Sequence, residues 1–140
     1  LLPVTYGDAA PHRGLGGAIL STEPLLCALA LELQPLRLVL ATDVDGVYAD
    51  GPPTPERPGR PIAQITEADW PALSPRLAAS RAGVVDLTGG MASKLRLMLD
   101  LAAQLPRLDI RIVSGLRPGA VAAALAGDPA AGGTLIRYNP

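Results

Sequence analysis

A single cysteine, Cys27, can make neither an internal disulfide nor a thiolate zinc cluster. Its apolar neighbours read as the setting of a buried thiol in a reducing compartment, with the cytoplasm as the expected location. A single histidine, His12, lies in a polar loop with no second imidazole in the chain, which argues against a histidine metal site and against a Ser/His triad. It reads as a solvated loop residue. There is no basic surplus: twelve Lys+Arg face thirteen Asp+Glu for a formal net charge of -1, so neither a nucleic-acid groove nor an anionic membrane face has an electrostatic footprint. Apolar stretches such as residues 25–31 and 36–41 fall far short of the ~18–20 needed to span a bilayer. The chain opens on Leu1 without Met or a charged leader, which reads as no signal peptide and as a start inside a longer protein. No internal repeat is visible.

What is present is a 49% hydrophobic, 18% charged chain of 140 residues, sized for one soluble globular domain or a piece of a larger one. Fifteen Gly and fifteen Pro point to rigid loops rather than disorder, given the Leu, Val and Ile content. Of the basic residues only Lys94 is a lysine. Wherever chemistry needs a compact ammonium rather than a planar guanidinium, Lys94 alone can supply it.

Along the chain, residues 1–6 read as a strand ending at Gly7-Asp8, residues 12–17 as a Gly-rich loop, and 17–20 as a second short strand. Ser21, Thr22, Glu23 and Pro24 make a helix start, with hydroxyl caps, an acid in the first turn and a tolerated proline. Residues 25–33 continue as a largely apolar, hence buried, helix that Pro35 stops. Residues 37–41 (RLVLA) read as an inner strand closing a first β-α-β unit. Five prolines make 51–61 an exposed excursion or hairpin arm, with 62–65 as its return strand. Residues 67–77 are ambiguous, with Trp70 as a core anchor and Pro71 and Pro75 as breakers. After a short apolar segment at 84–87, residues 91–105 form the strongest helix. Another inner strand at 109–113, a helix opening on Pro118 and a last strand at 134–137 complete an α/β pattern. Such alternation predicts a mainly parallel sheet covered on both faces.

In open α/β sheets ligands bind beyond the carboxyl ends of the strands, so the loops that follow strands are where chemistry is sought. Thr42-Asp43-Val44-Asp45-Gly46-Val47-Tyr48 follows RLVLA and offers two carboxylates, a hydroxyl and a glycine, suited to ribose hydroxyls or a magnesium ion, with Gly46 letting a planar ring approach the backbone. A solvated Asx turn explains the same residues equally well, and the ligand set of an EF-hand is missing. Thr88-Gly89-Gly90-Met91-Ala92-Ser93-Lys94 exposes helix-start N–H groups that favour an anion, with Lys94 within reach of it. A plain helix entry with a surface lysine is the alternative. It is not a Walker A loop, because the lysine follows the glycines by four positions. Ser21, Thr22 and Glu23 could serve a second ligand, though capping suffices to explain them.

Read together, Tyr6-Gly7-Asp8, Ile19-Leu20-Ser21, TDVDGVY at 42–48, DLTGGMASK at 86–94, Val113-Ser114-Gly115 and Gly133-Thr134-Leu135-Ile136 resemble, in order, the amino acid kinase superfamily. The likeness is greatest to its isopentenyl phosphate kinase branch. It implies the C-terminal, nucleotide-binding half of a three-layer αβα sandwich, so that residues 1–140 make a single partial domain. By that resemblance Thr42, Asp43, Asp45, Gly46 and Tyr48 would border the base and ribose of ATP, and Gly89, Gly90, Met91 and Lys94 would hold its phosphates, with Mg2+ as companion ion. Lys94 would neutralise the migrating phosphoryl group. Glu23 stands where relatives often carry a lysine-orienting aspartate, and Ser21 and Thr22 would face the phosphoacceptor, where many relatives have glycine in place of Thr22. The implied reaction is ATP-dependent phosphorylation of isopentenyl phosphate to the diphosphate, by a full-length form expected to be a homodimer. The first half of the family fold, with its own lysine, glycine-rich turn and substrate histidine, has no counterpart, and His12 does not match that histidine.

Three rivals remain open. Glutamate 5-kinase and acetylglutamate kinase share the TDVDG and GGM-type loops, although Tyr-Gly-Asp followed by ILSTE favours a phosphate-monoester acceptor. A haloacid dehalogenase-like phosphatase would match Asp43-Val44-Asp45-Gly46 and Ser114, but its lysine comes after the second motif and Lys94 precedes Ser114. A non-catalytic nucleotide-binding fragment is the third.

Overall fold

Among the described residues, ten strands and α-helices form where apolar periodicity and turn residues dictate. The computed structural model describes residues 2–79 and 90–139; the short segment expected at 84–87, and Thr88 and Gly89, lie outside them. Strands β1 (Asp8–His12) and β2 (Gly16–Leu20) make an antiparallel hairpin, from Asp8↔Leu20 to His12↔Gly16. Helix α1 (Thr22–Leu33) leads to β3 (Arg37–Thr42). After the proline-rich excursion come β4 (Gln64–Ile65), a 3-10 turn over Glu67–Asp69, and α2 (Trp70–Ala79). Then follow α3 (Gly90–Gln104), β5 (Asp109–Ser114), α4 (Ala120–Ala126) and β6 (Thr134–Ile136).

The main sheet runs β3-β5-β6-β4. Two of its three pairings are parallel, β3 with β5 and β4 with β6, whereas β5 and β6 are antiparallel. Alternation along the strands sends Leu38, Leu40, Ile110 and Ile112 to one face, where they join Leu95, Met98, Leu99 and Ala102 of α3. Those four α3 positions repeat at helical spacing and form its apolar stripe. Val39 and Val113 point the other way, to Ala120 and Ala124 of α4. The result is the expected three-layer αβα arrangement around a mostly parallel sheet.

Several expectations change. Residues 2–6 are not a strand; pairing begins at Asp8, and only Arg13 to Leu15 remain of the Gly-rich loop as the hairpin's tip. Because β2 belongs to the hairpin and not to the main sheet, β2-α1-β3 is no parallel unit. Among the described residues the RLVLA strand is an edge and not an inner strand: β3 pairs there on one side only, with β5. Helix α1 buries only Ala30, leaving Leu31 and Leu33 exposed, since among the described residues no layer covers its outer side. The 51–61 excursion is a loop closed by paired Thr54 and Arg57 backbone bonds, not a hairpin arm, and the segment after it is the other sheet edge, parallel to β6. Helix α2 tolerates Pro71 near its start and carries Pro75 inside. Helix α4 opens after Gly119 in the left-handed conformation, so Pro118 precedes it.

Ile112 lies at the centre of this packing, on one of the two inner strands and wholly excluded from solvent. Ile112→Ala should cost about 2–5 kcal/mol by lost transfer and residual cavity, read as a lowered urea midpoint with unchanged m-value.

Candidate functional site

The chain direction in the parallel pair decides which ends meet. Helix α3 connects to β5 through a short turn in which Leu108 N–H donates to the Leu105 carbonyl at 2.9 Å, so it runs back along the sheet. Its start, some 22 Å away at 1.5 Å per residue, therefore lies at the carboxyl end of β3 and β5. Helix α1 enters β3 by an equally short link and likewise starts at that end. The two helix beginnings are joined by a charged contact between Lys94 Nζ and Glu23 Oε1, with the two side chains 24% and 12% exposed. This sheltered pair couples α1 and α3 at the carboxyl end.

The chain crosses itself next to it. Gly7 N–H donates to Thr22 Oγ1 at 2.8 Å. A Cβ on Gly7 would sit 2.8 Å from the Leu20 carbonyl and 3.2 Å from Thr22 N, so only glycine lets the Tyr6-Gly7-Asp8 turn cross there. Ser21 occupies the N-cap position of α1 in extended conformation, but its hydroxyl makes no capping bond. The capping explanation is thereby replaced: the hydroxyl that is used is that of Thr22, and it ties the crossing. Sequence reading missed this bond, because nothing local links residues fifteen positions apart.

Thr42 to Tyr48 behave differently from one another. Thr42 pairs with Ser114, and its Oγ1 donates to the Val44 carbonyl at 2.8 Å, forming a local turn at the strand end. Asp43 and Asp45 are exposed. Gly46 is buried, and a Cβ there would come within 2.7 Å of Thr134 Oγ1 and 2.9 Å of Pro61, so the space it leaves is filled by the protein's own chain rather than kept for a ring. Thr134, fully buried, also accepts the Val47 N–H at 2.8 Å. It is the polar anchor of this loop, flagged in sequence only by the double glycine before it. Tyr48 is buried, its ring against Gly59 of the proline-rich excursion; burial first, and Asp45 second, push its phenol above the ordinary range.

Gly90 opens α3 with positive φ, and Met91 is half-buried against the core, so what it offers a ligand is its backbone N–H. Lys94 and Glu23 stand at one end of a groove of ≈580 Å³ running along the free edge of β3 between α1, α4 and residues 2–6. Asp43, Asp45 and Gly90 share the sheet end with the pair but do not line that groove, and no hydrogen bond or ion pair joins the two loops among the described residues. Nor do the described residues hold any group of three or more His, Cys, Asp or Glu placed to cage a metal. Behind Lys94, Arg96 is clamped by Glu67 (2.9 and 2.7 Å) and Asp100 (2.7 Å) and lies 5.1 Å over the Trp70 ring, fixing α3 against α2.

A parallel strand pair with two helix starts and a lysine–carboxylate contact at its carboxyl end sets this site where open α/β sheets bind their ligands. The chain belongs to the amino acid kinase family, whose model matches residues 1–114. It is 32% identical over 136 residues to the isopentenyl phosphate kinase of Methanothermobacter thermautotrophicus, covering 94% of this chain and 47% of that protein. It is 38% identical over 126 residues to the acetylglutamate kinase of Rubrobacter xylanophilus, covering 89% and 41%. A solved isopentenyl phosphate kinase structure superposes with a TM-score of 0.63 at 29% identity, over 96% of this chain and 44% of that one. The chain thus spans about half the length of the curated relatives it matches.

Cys27, one turn from Glu23 and half-buried, has its thiol held above the ordinary range by burial first, then by the charges of Glu23 and Asp100. Glu23→Gln removes one of those charges, so the Cys27 pKa should fall and its alkylation at fixed, mildly alkaline pH should quicken, with burial keeping it above a free thiol. An unchanged rate profile would show that the Glu23 carboxylate does not lie near the Cys27 thiol.

Proposed function

We propose that this chain is the nucleotide-binding half of an ATP-dependent kinase domain whose acceptor is a small phosphate monoester, isopentenyl phosphate. The observation that carries the reading is the sheltered Lys94–Glu23 contact at the carboxyl end of the parallel strands. An ammonium held there by a carboxylate is aimed without being solvent-swept, and a compact cation is worth most where charge spreads over a phosphoryl group in transfer. Glu23 acts as the positioning residue for Lys94. The helix-start amides at Gly90 and Met91 add fixed partial charge for nucleotide phosphates. Asp43, Asp45 and the Thr42 turn form the exposed rim suited to ribose hydroxyls. Thr22 and Ser21 lie on the α1 side, where an acceptor phosphate would meet Lys94 from the opposite direction. With no protein cage among the described residues, magnesium fits as an ion carried on the nucleotide's phosphate oxygens, supplying charge neutralisation there. The identities to isopentenyl phosphate kinases support the acceptor. The 38% identity to an acetylglutamate kinase supports a second reading, with an amino-acid carboxylate as acceptor.

In a longer chain that includes the upstream sequence, Lys94→Ala should lower kcat by about 10²–10³-fold while changing nucleotide affinity far less. Lys94→Arg should fail too, because a planar fork does not replace a point charge at a moving centre. Near-normal turnover by either variant rules out Lys94 as the transfer lysine. Turnover with acetylglutamate and none with isopentenyl phosphate selects the second reading.

The 140-residue chain by itself should not phosphorylate isopentenyl phosphate. Nucleotide and acceptor together bring several negative charges to a site whose described cations number one, and β3 leaves an unpaired sheet edge prone to self-association. Sedimentation should show concentration-dependent association without turnover; robust activity of the monomer would sink the proposal that residues 1–140 are a partial domain.

A further inference from the structure

The amino end of the sheet carries a second concentration of charge that phosphoryl transfer does not use. Arg37 opens β3, Asp109 opens β5 with Arg111 two residues on, and Arg137 follows β6, which returns antiparallel to the same end. With Val39, Leu135 and the turn at Gly127 and Pro129 after α4, they line a cavity of ≈250 Å³. Arg137 is already satisfied, because its Nε and Nη2 donate to the two Asp109 oxygens at 2.7 and 2.9 Å. Arg37 and Arg111 are not. Among the described residues neither has a carboxylate partner; Arg37 reaches only the Leu125 carbonyl, at 3.5 Å, and Arg111 only the Gly132 carbonyl, at 3.1 Å. Asp128, close by in sequence, accepts the Ala130 N–H on Oδ1 at 2.8 Å and makes no ion pair with Arg37 or Arg111 among the described residues.

The Arg37 guanidinium lies against the left-handed turn at Gly127, where an added Cβ would meet it. All three arginines act on Asp109, holding its carboxyl below the ordinary range, chiefly through the Arg137 hydrogen bond. Each guanidinium has five N–H donors in a planar fork, and most of those on Arg37 and Arg111 are unspent. Three guanidiniums around one carboxylate leave a net positive charge on a small lined cavity, which matches the charge and tetrahedral oxygens of a phosphate.

We propose that this cleft binds a phosphate group, free or as the end of a small phosphomonoester, with Arg37 and Arg111 as its cations. It lies at the opposite ends of the strands from Lys94, some 20 Å away by strand rise, and does not depend on the kinase reading.

Calorimetric titration of the chain with inorganic phosphate, and separately with glycerol 3-phosphate, tests it. Saturable binding is expected, weakened about tenfold or more by Arg37→Gln, the loss of a charge-assisted pair, and unaffected by Lys94→Ala. The tighter of the two ligands identifies the source of the phosphate. Arg111→Gln should weaken binding similarly; because Arg111 is half-buried and can cost folding, exposed Arg37 decides, with circular dichroism confirming an unchanged fold. Absence of saturable binding, equal affinity in wild type and Arg37→Gln, or loss of binding in Lys94→Ala instead would overturn the proposal.

Discussion

Parallel pairing of β3 with β5, held from Arg37↔Asp109 to Thr42↔Ser114, decides where the polar chemistry of this chain can go. Because the strands run the same way, the helices that precede them must run back, and both begin at one edge of the molecule. Helix starts carry unpaired N–H groups, and this edge collects two sets of them together with Glu23 and Lys94. The same constraint gathers the strand beginnings, with Arg37, Asp109 and Arg111, at the other edge. Charge is thus sorted by chain direction, while α3 and α4 take up the two apolar faces.

The helix-rich second half was legible in sequence because its elements are decided locally. The α3 stripe repeats at helical spacing, and β5 is a run of apolar residues bounded by turns. The sole lysine beside paired glycines, and Glu23 in a first turn, were also legible as types. Their contact was implied only by the resemblance, through the lysine-orienting position that Glu23 occupies; local pattern could not give it, since it spans some seventy residues and exists only once the sheet fixes both helices. The first forty residues misled for a related reason. An apolar strand such as RLVLA reads as interior by composition, yet composition cannot tell an inner strand from an edge. Residues 2–6 read as a strand by composition too, but among the described residues no neighbour pairs with them. In the Thr42 to Tyr48 loop, Gly46 suggested an opening for a ligand, whereas Thr134 from the far end of the chain fills it.

Glu23 and Thr22 show how adjacent residues on one helix turn can serve different purposes. Glu23 faces α3 and holds a cation; Thr22 faces the hairpin and holds the Gly7 crossing. The hairpin and the second helix layer are therefore both referred to the same turn of α1, which makes that turn the local datum for the groove beside β3.

The register of β3 against β5 also bears on the order in which the chain can acquire structure. Their pairing joins segments roughly seventy residues apart, so during synthesis at ~5–20 residues per second β3 waits several seconds for its partner to be made. Over that interval the hairpin and α1 can form from local contacts, whereas closing the large loop carries an entropic cost that rises with its length. Nucleation of the sheet is thus deferred until the last third of the chain has been translated, and any truncation before Ser114 would leave β3 without its mate.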